Sequence, residues 1–259
     1  MSVHSRSAGV LQASADENLL TAFGLLVPYA VSAAAGTATF GGAVAIASGA
    51  RSPFFNPIIV VDSSVIARDV GSAIEWARAR GIEPSVQVRS DLDATVAGVA
   101  AEQGLVADPW LMPGMALDPI PETIPPKPAE LELTLVQTDV DLEAWYVAAG
   151  PGMRALIPPP FAFHPAVRLA VGSTDGRPVC HSVVVDSPRA VGIYAVGTQK
   201  DARGRGYGRA ITWAAVEAGR DAWGHKPVIL QSSEMGQPVY RAMGFVEICR
   251  YVIYAPPSD

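Results

Sequence analysis

Two cysteines in 259 residues, Cys180 and Cys249, are too few for a disulfide framework, and neither stands at a zinc-ligand spacing. Both lie in apolar, strand-like stretches, which reads as two reduced thiols in a cytoplasmic protein with no metal site. An excess of basic residues is also missing. Nineteen Lys and Arg against 25 Asp and Glu leave a formal net charge of −6, which argues against nucleic acid as a partner. The opening MSVHSRSAGV lacks the basic start and compact apolar run of a secretory signal. No charged residue falls between Asn18 and Ala50, a stretch long enough to span a bilayer. Pro28 interrupts it, Gly36, Gly41 and Gly42 break it up, and Ala dominates over Leu and Ile. The expectation is therefore a buried helix, a turn and a strand, and no membrane partner.

Proline is concentrated at one place. DPIPETIPPKPAE, residues 118–130, holds five prolines, which no regular helix or central strand accommodates. It divides the chain into a domain of residues 1–117, a linker of residues 118–130 and a domain of residues 131–259. In the second half LELTLVQ alternates as a strand, and DVDLEAWYVAA reads as a short helix with Asp139 as its cap. A proline-rich loop, PGMRALIPPPFAFHP, precedes three strands, VRLAVGS, PVCHSVVVD and AVGIYAVGT, joined by TDGR and SPR turns. ITWAAVEAGRDAW then places Ile211, Ala214, Ala215 and Ala218 on one helical face. VILQSS is a short buried strand. EMGQPVYRAM is a helix begun at Ser232 or Ser233 and stopped by Gly244, and VEICRYVIYA is a last strand. The first half ends in the same order: PIIVVD, a helix stopped by Gly81, PSVQVRS, a helix stopped by Gly104, and LVADPWLM. Short echoes, such as Ile74-Glu-Trp76-Ala against Ile211-Thr-Trp213-Ala, fit a duplication.

The halves differ where chemistry would sit. DARGRGYGRA, residues 201–210, packs three glycines and three arginines between a strand ending near Thr198 and a helix beginning near Tyr207. A helix start leaves backbone N–H groups without partners and carries the positive end of the dipole. Glycines let the backbone approach a phosphate, and Arg203, Arg205 and Arg209 add charge. The loop suits a diphosphate. A nucleotide P-loop is excluded by the absence of Gly-Lys-Ser/Thr. A dinucleotide fingerprint fails because Arg209 stands at the third glycine position and the next strand ends in QSS rather than an acid. Arg/Gln-x-x-Gly-x-Gly/Ala fits without a gap, as Arg203-Gly-Arg-Gly206-Tyr-Gly208. The first half has no glycine-rich loop after PIIVVD, and Ala100 stands where the second half has Tyr240.

With the downstream Tyr240-Arg-Ala-Met-Gly244-Phe245, this pattern resembles the GNAT-type N-acetyltransferase superfamily, and the whole chain resembles a tandem form with a degenerate N-terminal half. The resemblance covers residues 130–256 well and 18–117 by element order alone. It implies an α/β (α+β) fold, two domains each with a mixed, mostly antiparallel sheet flanked by helices. The fourth and fifth strands would splay, and acetyl-CoA would lie in the gap. Val196, Gly197 and Thr198 would pair with its pantetheine arm, Gly197 marking the bulge. The backbone of Arg203, Gly204, Arg205, Gly206, Tyr207 and Gly208 would take the diphosphate. Ser233 stands where relatives often carry a cofactor-contacting Asn. Tyr240 would protonate the departing thiolate, with a core aromatic as its other reading. No carboxylate occurs in GIYAVGTQ, which leaves Asp186, Glu234, His181 or a water to take the amine's proton. The acceptor would be an amine of a small molecule or peptide, against PGMRALIPPPFAFHP, where Met153, Phe161 and Phe163 supply apolar surface or only cover the core. Two further readings stay open. One is a non-catalytic acyl-CoA-binding regulatory module. In the other the first half shields the second or forms a homodimer contact.

Overall fold

The structure, a computed structural model, describes residues 6–257. In chain order the first elements are α1 (Ala8–Gly24), β1 (Gly36–Phe40), β2 (Ala43–Ala47), β3 (Pro57–Val60), α2 (Ala67–Arg78), β4 (Ser85–Arg89), α3 (Asp93–Glu102), β5 (Val106–Ala107) and β6 (Met112–Leu117). They continue with β7 (Glu132–Leu135), α4 (Asp139–Ala149), α5 (Met153–Leu156), α6 (Pro159–Ala162), β8 (Val167–Thr174), β9 (Arg177–Asp186) and β10 (Val191–Thr198). The last are α7 (Tyr207–Trp223), β11 (Val228–Gln231), α8 (Gln237–Ala242) and β12 (Val246–Ala255). No helix among the described residues is long and apolar enough to cross a membrane. The uncharged stretch after Asn18 is the end of α1, a turn, and the β1–β2 hairpin.

The chain forms two compact units that do not follow its linear order. One comprises residues 1–19 and 115–248, the other residues 20–114 and 249–259. Residues 118–130 contain no helix or strand and belong to the first of these.

The unit of residues 20–114 and 249–259 is a mixed sheet in which β1–β2 and β2–β3 pair antiparallel, β3–β4 parallel, and β4 antiparallel with β12. Val86 and Val88 on β4 alternate with Gln87 and Arg89. The valines join Ile58, Val60, Val70, Ile74 and Val96 in the core under α2 and α3. β3 and β4 stay paired through four consecutive positions to the end of β3. The hairpin tip then fills the space beyond. A Cβ on Gly42 would come within 2.6 Å of the Val65 backbone, and one on Gly41 would collide with the Asp69 carboxylate. Asp69 also accepts from the Ile66 N–H at 3.1 Å, so the start of α2 already has its anion.

In the other unit β7, β8, β9 and β10 form an antiparallel meander, β11 lies parallel to β10, and β6 neighbours β11. α7 covers one face through Ile211, Ala215, Val216 and Ala218, with Ala214 half-buried at its margin. Thr138, not Asp139, caps α4: its hydroxyl accepts from the Asp141 N–H at 3.2 Å. α8 starts at Gln237, later than the serines. Residues 8–19 of α1 pack Leu11 and Ala15 against Ala116, Ala190 and Ile229. Asn18 enters fully buried. Its amide donates to the Val185 and Ala190 carbonyls at 3.1 and 3.2 Å and to Ser187 Oγ at 3.0 Å. Its carbonyl accepts from the Tyr194 hydroxyl at 2.6 Å.

Candidate active site

β10 and β11 pair at only two positions, Val191–Val228 and Gly192–Ile229, and then part. β10 runs on to Thr198. Its pairing with β9 lapses between Tyr194 and Gly197, where Ala195 takes φ 46°. The expected bulge is therefore present, but Ala195 rather than Gly197 adopts the unusual backbone. Such a bulge bends the strand and leaves backbone groups unpaired.

The cleft beyond has a volume of about 560 Å³. Its walls are Val196, Gly197 and Thr198 from β10, Arg203, Gly204, Gly206, Tyr207, Gly208 and Arg209 from the glycine loop and the start of α7, and Ser233 and Tyr240 from the loop after β11 and from α8. Sequence reasoning also put Arg205 here, but Arg205 does not line the cleft and exerts its charge on Glu130 and Tyr207 instead. Ala202, Met235, Gly236, Val239 and Ala242 complete the lining. Their only sequence signal was proximity to the loop and to Tyr240.

The start of α7 differs from that of α2. Gly206 occupies the cap position with φ 80°, in the left-handed region, and Gly204 has φ 79°. The cap supplies no side-chain acceptor and the first turn holds no acid. The first helical bond runs from the Ala210 N–H to the Gly206 carbonyl at 3.0 Å. The N–H groups of a 17-residue helix thus open at the cleft without an internal anion. Tyr207, fully buried, donates its hydroxyl to Glu130 at 2.9 Å, and Arg203 Nε donates to the Thr198 carbonyl at 3.2 Å. These bonds tie both ends of the loop.

Tyr240 is half-buried and tilts against Phe245 at 5.8 Å between ring centroids. Gly236 lies so close that a Cβ there would come within 2.9 Å of the Tyr240 ring. Burial pushes the phenol up to about 12, and the neighbouring Thr212 hydroxyl partly offsets this. Tyr240 therefore carries its proton at neutral pH, and it lines the cleft. Ser233 is exposed and accepts from the Gly236 N–H at 3.2 Å.

The three side chains considered as proton acceptors separate. Asp186 pairs with Val191 at the far end of β10 and bonds Lys226 Nζ at 2.6 Å. Glu234 sits in an exposed loop and does not line the cleft. His181 lies opposite Gly197, next to the bulge, but its ring is not in the cleft wall, and burial pushes it down to about 4. Phe161, read as acceptor surface, is core at 1% exposure, whereas Phe163 is exposed. Among the described residues no group of three or more His, Cys, Asp or Glu could hold a metal ion.

Residues 139–245 match the family model for the Acetyltransferase (GNAT) family. A GCN5-related N-acetyltransferase from Kribbella flavida is similar in structure, with 18% identity, TM-score 0.71 and 96% of each chain covered. A tandem GNAT protein from the clavulanic acid biosynthesis pathway aligns over 98% of each chain with 16% identity and TM-score 0.59. A GCN5-related N-acetyltransferase from Sphaerobacter thermophilus aligns over 84% of this chain and 78% of its own, with 21% identity and TM-score 0.56. No curated protein matches the chain in sequence.

Proposed function

We propose that this chain, whose residues 139–245 form a domain of the acetyltransferase (GNAT) family, is a cytoplasmic, acetyl-CoA-dependent N-acyltransferase for an amine of a small molecule or peptide. One observation carries the reading: the strands part directly beside a helix start that has left-handed glycines and no anion of its own. The fit to coenzyme A can be tested on the glycines. At Gly208 a Cβ would meet only Thr198 Oγ1, at 3.5 Å, and at Gly206 only Pro128, at 3.8 Å. Packing therefore leaves room for side chains at both positions, and the glycines keep that space free for a diphosphate. Arg203 and Arg209 add charge at the same place.

Acetyl-CoA, when bound, supplies a thioester whose C–S bond breaks as the amine's N–C bond forms. The residues of this chain do the remaining work. The bulge leaves backbone N–H groups at Val196 and its neighbours for the carbonyl oxygen, where a well-placed donor is worth roughly 3 kcal/mol. Val196, Gly197 and Thr198 hold the pantetheine arm through their backbone. Tyr240 delivers its phenolic proton to the departing sulfur, and its raised pKa keeps that proton in place until then. The amine's proton leaves through water, because among the described residues no carboxylate or imidazole lines the cleft.

That same lack favours a second reading, a non-catalytic module that binds acyl-CoA and regulates. Calorimetry with acetyl-CoA and free CoA, followed by an amine panel, separates the two. One equivalent bound with turnover on an amine supports the enzyme. Binding without transfer across the panel supports the module. No binding removes both. The unit of residues 20–114 and 249–259, with strands paired to their end and a helix start already satisfied by Asp69, takes no second equivalent.

A further inference from the structure

The proline-rich segment ends against the glycine loop. The Leu131 N–H donates to the Pro128 carbonyl at 3.1 Å and Lys127 Nζ donates to the Leu131 carbonyl, so residues 127–131 close into a turn just before β7. Leu131 is fully buried in one cluster with Tyr207, Ala210 and Ile211. Pro128 stands 3.8 Å from the Cβ position of Gly206. Exposed Glu130 accepts from the hydroxyl of buried Tyr207 at 2.9 Å.

A carboxylate beside a site for a diphosphate opposes the charge of the ligand. Glu130 is nevertheless an anion there: its own backbone N–H and the Tyr207 hydroxyl hold its carboxyl below the ordinary range. A ring kept at position 207 only to fill the core would need no hydroxyl, since Phe offers the same ring. Together the two groups fix Tyr207, which is the first residue of α7 and lines the cleft. The N–H groups of Tyr207, Gly208 and Arg209 come before the first helical bond, which the Ala210 N–H makes. Tyr207 is flanked by glycines, so the backbone has little stiffness of its own at this point. Arg205 lies outside the cleft wall and turns its charge on Glu130 and Tyr207, which offsets the repulsion between Glu130 and an anion.

We infer that Glu130 is a positioning residue for the diphosphate loop. Its carboxylate holds the Tyr207 hydroxyl, and through it the backbone N–H groups at the start of α7. Glu130 itself touches no substrate. The last residues of the proline-rich segment are thus part of the site as well as a connection. The functional part of the inference rests on the acetyl-CoA reading above.

Three substitutions in the full chain separate the bond from the charge. Tyr207→Phe keeps the buried ring and removes the donor. Glu130→Ala removes the acceptor, and Glu130→Gln keeps an acceptor without the charge. Calorimetry and steady-state kinetics should show acetyl-CoA Kd and KM about fivefold weaker in Tyr207→Phe and in Glu130→Ala. The double variant should lose no more than either single one, and KM for the amine should stay unchanged. Glu130→Gln should bind at least as tightly as wild type. Wild-type affinity in Tyr207→Phe overturns the inference, and so does a Glu130→Gln as weak as Glu130→Ala, which would assign the effect to charge. Hydrogen exchange of the Ala210 amide reads the loop without any ligand. Faster exchange in Tyr207→Phe and Glu130→Ala, restored in Glu130→Gln, supports the inference, and an unchanged rate in all three overturns it. This readout keeps its meaning if the wild type binds no acetyl-CoA, an outcome that removes the functional reading alone. Should Tyr207→Phe not fold, Glu130→Ala breaks the same bond from an exposed position, and wild-type behaviour there overturns the inference.

Discussion

Replacing Gly208 by Ala should make the protein more stable and leave its acetyl-CoA affinity near wild type, whereas Gly206→Ala should lose both. Gly208 is the second residue of α7 and lines the cleft. Its backbone is ordinary helix, and the nearest atom to an added methyl, Thr198 Oγ1, would be 3.5 Å away, an ordinary contact. The folded state pays nothing in packing and gains from the narrower unfolded ensemble, about 0.5 kcal/mol so near a helix end. That corresponds to a rise in Tm of about 1–2 °C for a chain of this size. The last position of the Arg-x-x-Gly-x-Gly/Ala pattern takes a methyl as readily as a hydrogen, so affinity should stay within about threefold of wild type, or 0.7 kcal/mol. Gly206→Ala supplies the contrast. Its nearest neighbour, Pro128, would be 3.8 Å away, so again nothing clashes, but φ is 80°. A Cβ in that region costs roughly 1–2 kcal/mol, so Gly206→Ala should lose both stability and affinity. Thermal unfolding of each variant, with and without acetyl-CoA, gives both quantities. Wild-type affinity in Gly206→Ala would refute the idea that a ligand lies on this backbone.

Five further outcomes follow from the same geometry. Tyr240→Phe should lower kcat about a hundredfold with acetyl-CoA affinity unchanged, and equal kcat would remove its role as acid. Tyr240 ionises in the folded protein near 12 against about 10 unfolded. Its contribution to stability is full below pH 10 and lost as pH rises toward 12, and urea titrations of wild type and Tyr240→Phe should diverge only there. His181, held near 4 against an ordinary 6.5, acts at the other end. The unfolded chain binds its proton first, so stability falls as pH drops from 6.5 toward 4, and His181→Gln should flatten that limb. Asn18→Ala removes three donated bonds and the acceptor of the Tyr194 hydroxyl, and should cost about 2–4 kcal/mol in urea unfolding. Residues 131–259 alone, which lack the α1 residues 8–19 and β6, should give no cooperative unfolding transition, and a cooperative one would contradict the composition of the unit.

The glycine loop was legible because its meaning is local. A strand, Arg203 to Gly208 and an amphipathic helix lie consecutively, and Tyr240-x-x-x-Gly244-Phe245 follows at a distance set by one strand. What escaped depends on partners far apart in sequence. Asn18 reads as one polar residue in an uncharged run, and only the fold shows it meeting Val185 and Ala190. Ala195 carries no sign in its type that it takes a positive φ at the break in pairing with β9, so the eye goes to Gly197 instead. Gly197 has its own reason, the His181 ring. Asp186 looked like a spare carboxylate because Lys226 lies 40 residues away. Phe161 and Phe163 are indistinguishable by type, but one turn of helix sends the first into the core and leaves the second in solvent.

The division of the chain also governs how it can be made. Asn18 leaves the ribosome long before its carbonyl partner at Ala190, which lies 172 residues later. At typical elongation rates that is a wait of roughly 10–30 s. The other unit waits longer, because β4 gains its β12 partner only when Tyr251–Tyr254 emerge. The unit of residues 20–114 therefore cannot finish folding until the residues from 249 on have been made, after every residue of the other unit. The usual economy of a two-unit protein, in which the leading part folds while the trailing part is made, is closed to this one. A nascent chain stalled before residue 249 should therefore remain protease-sensitive across residues 20–114.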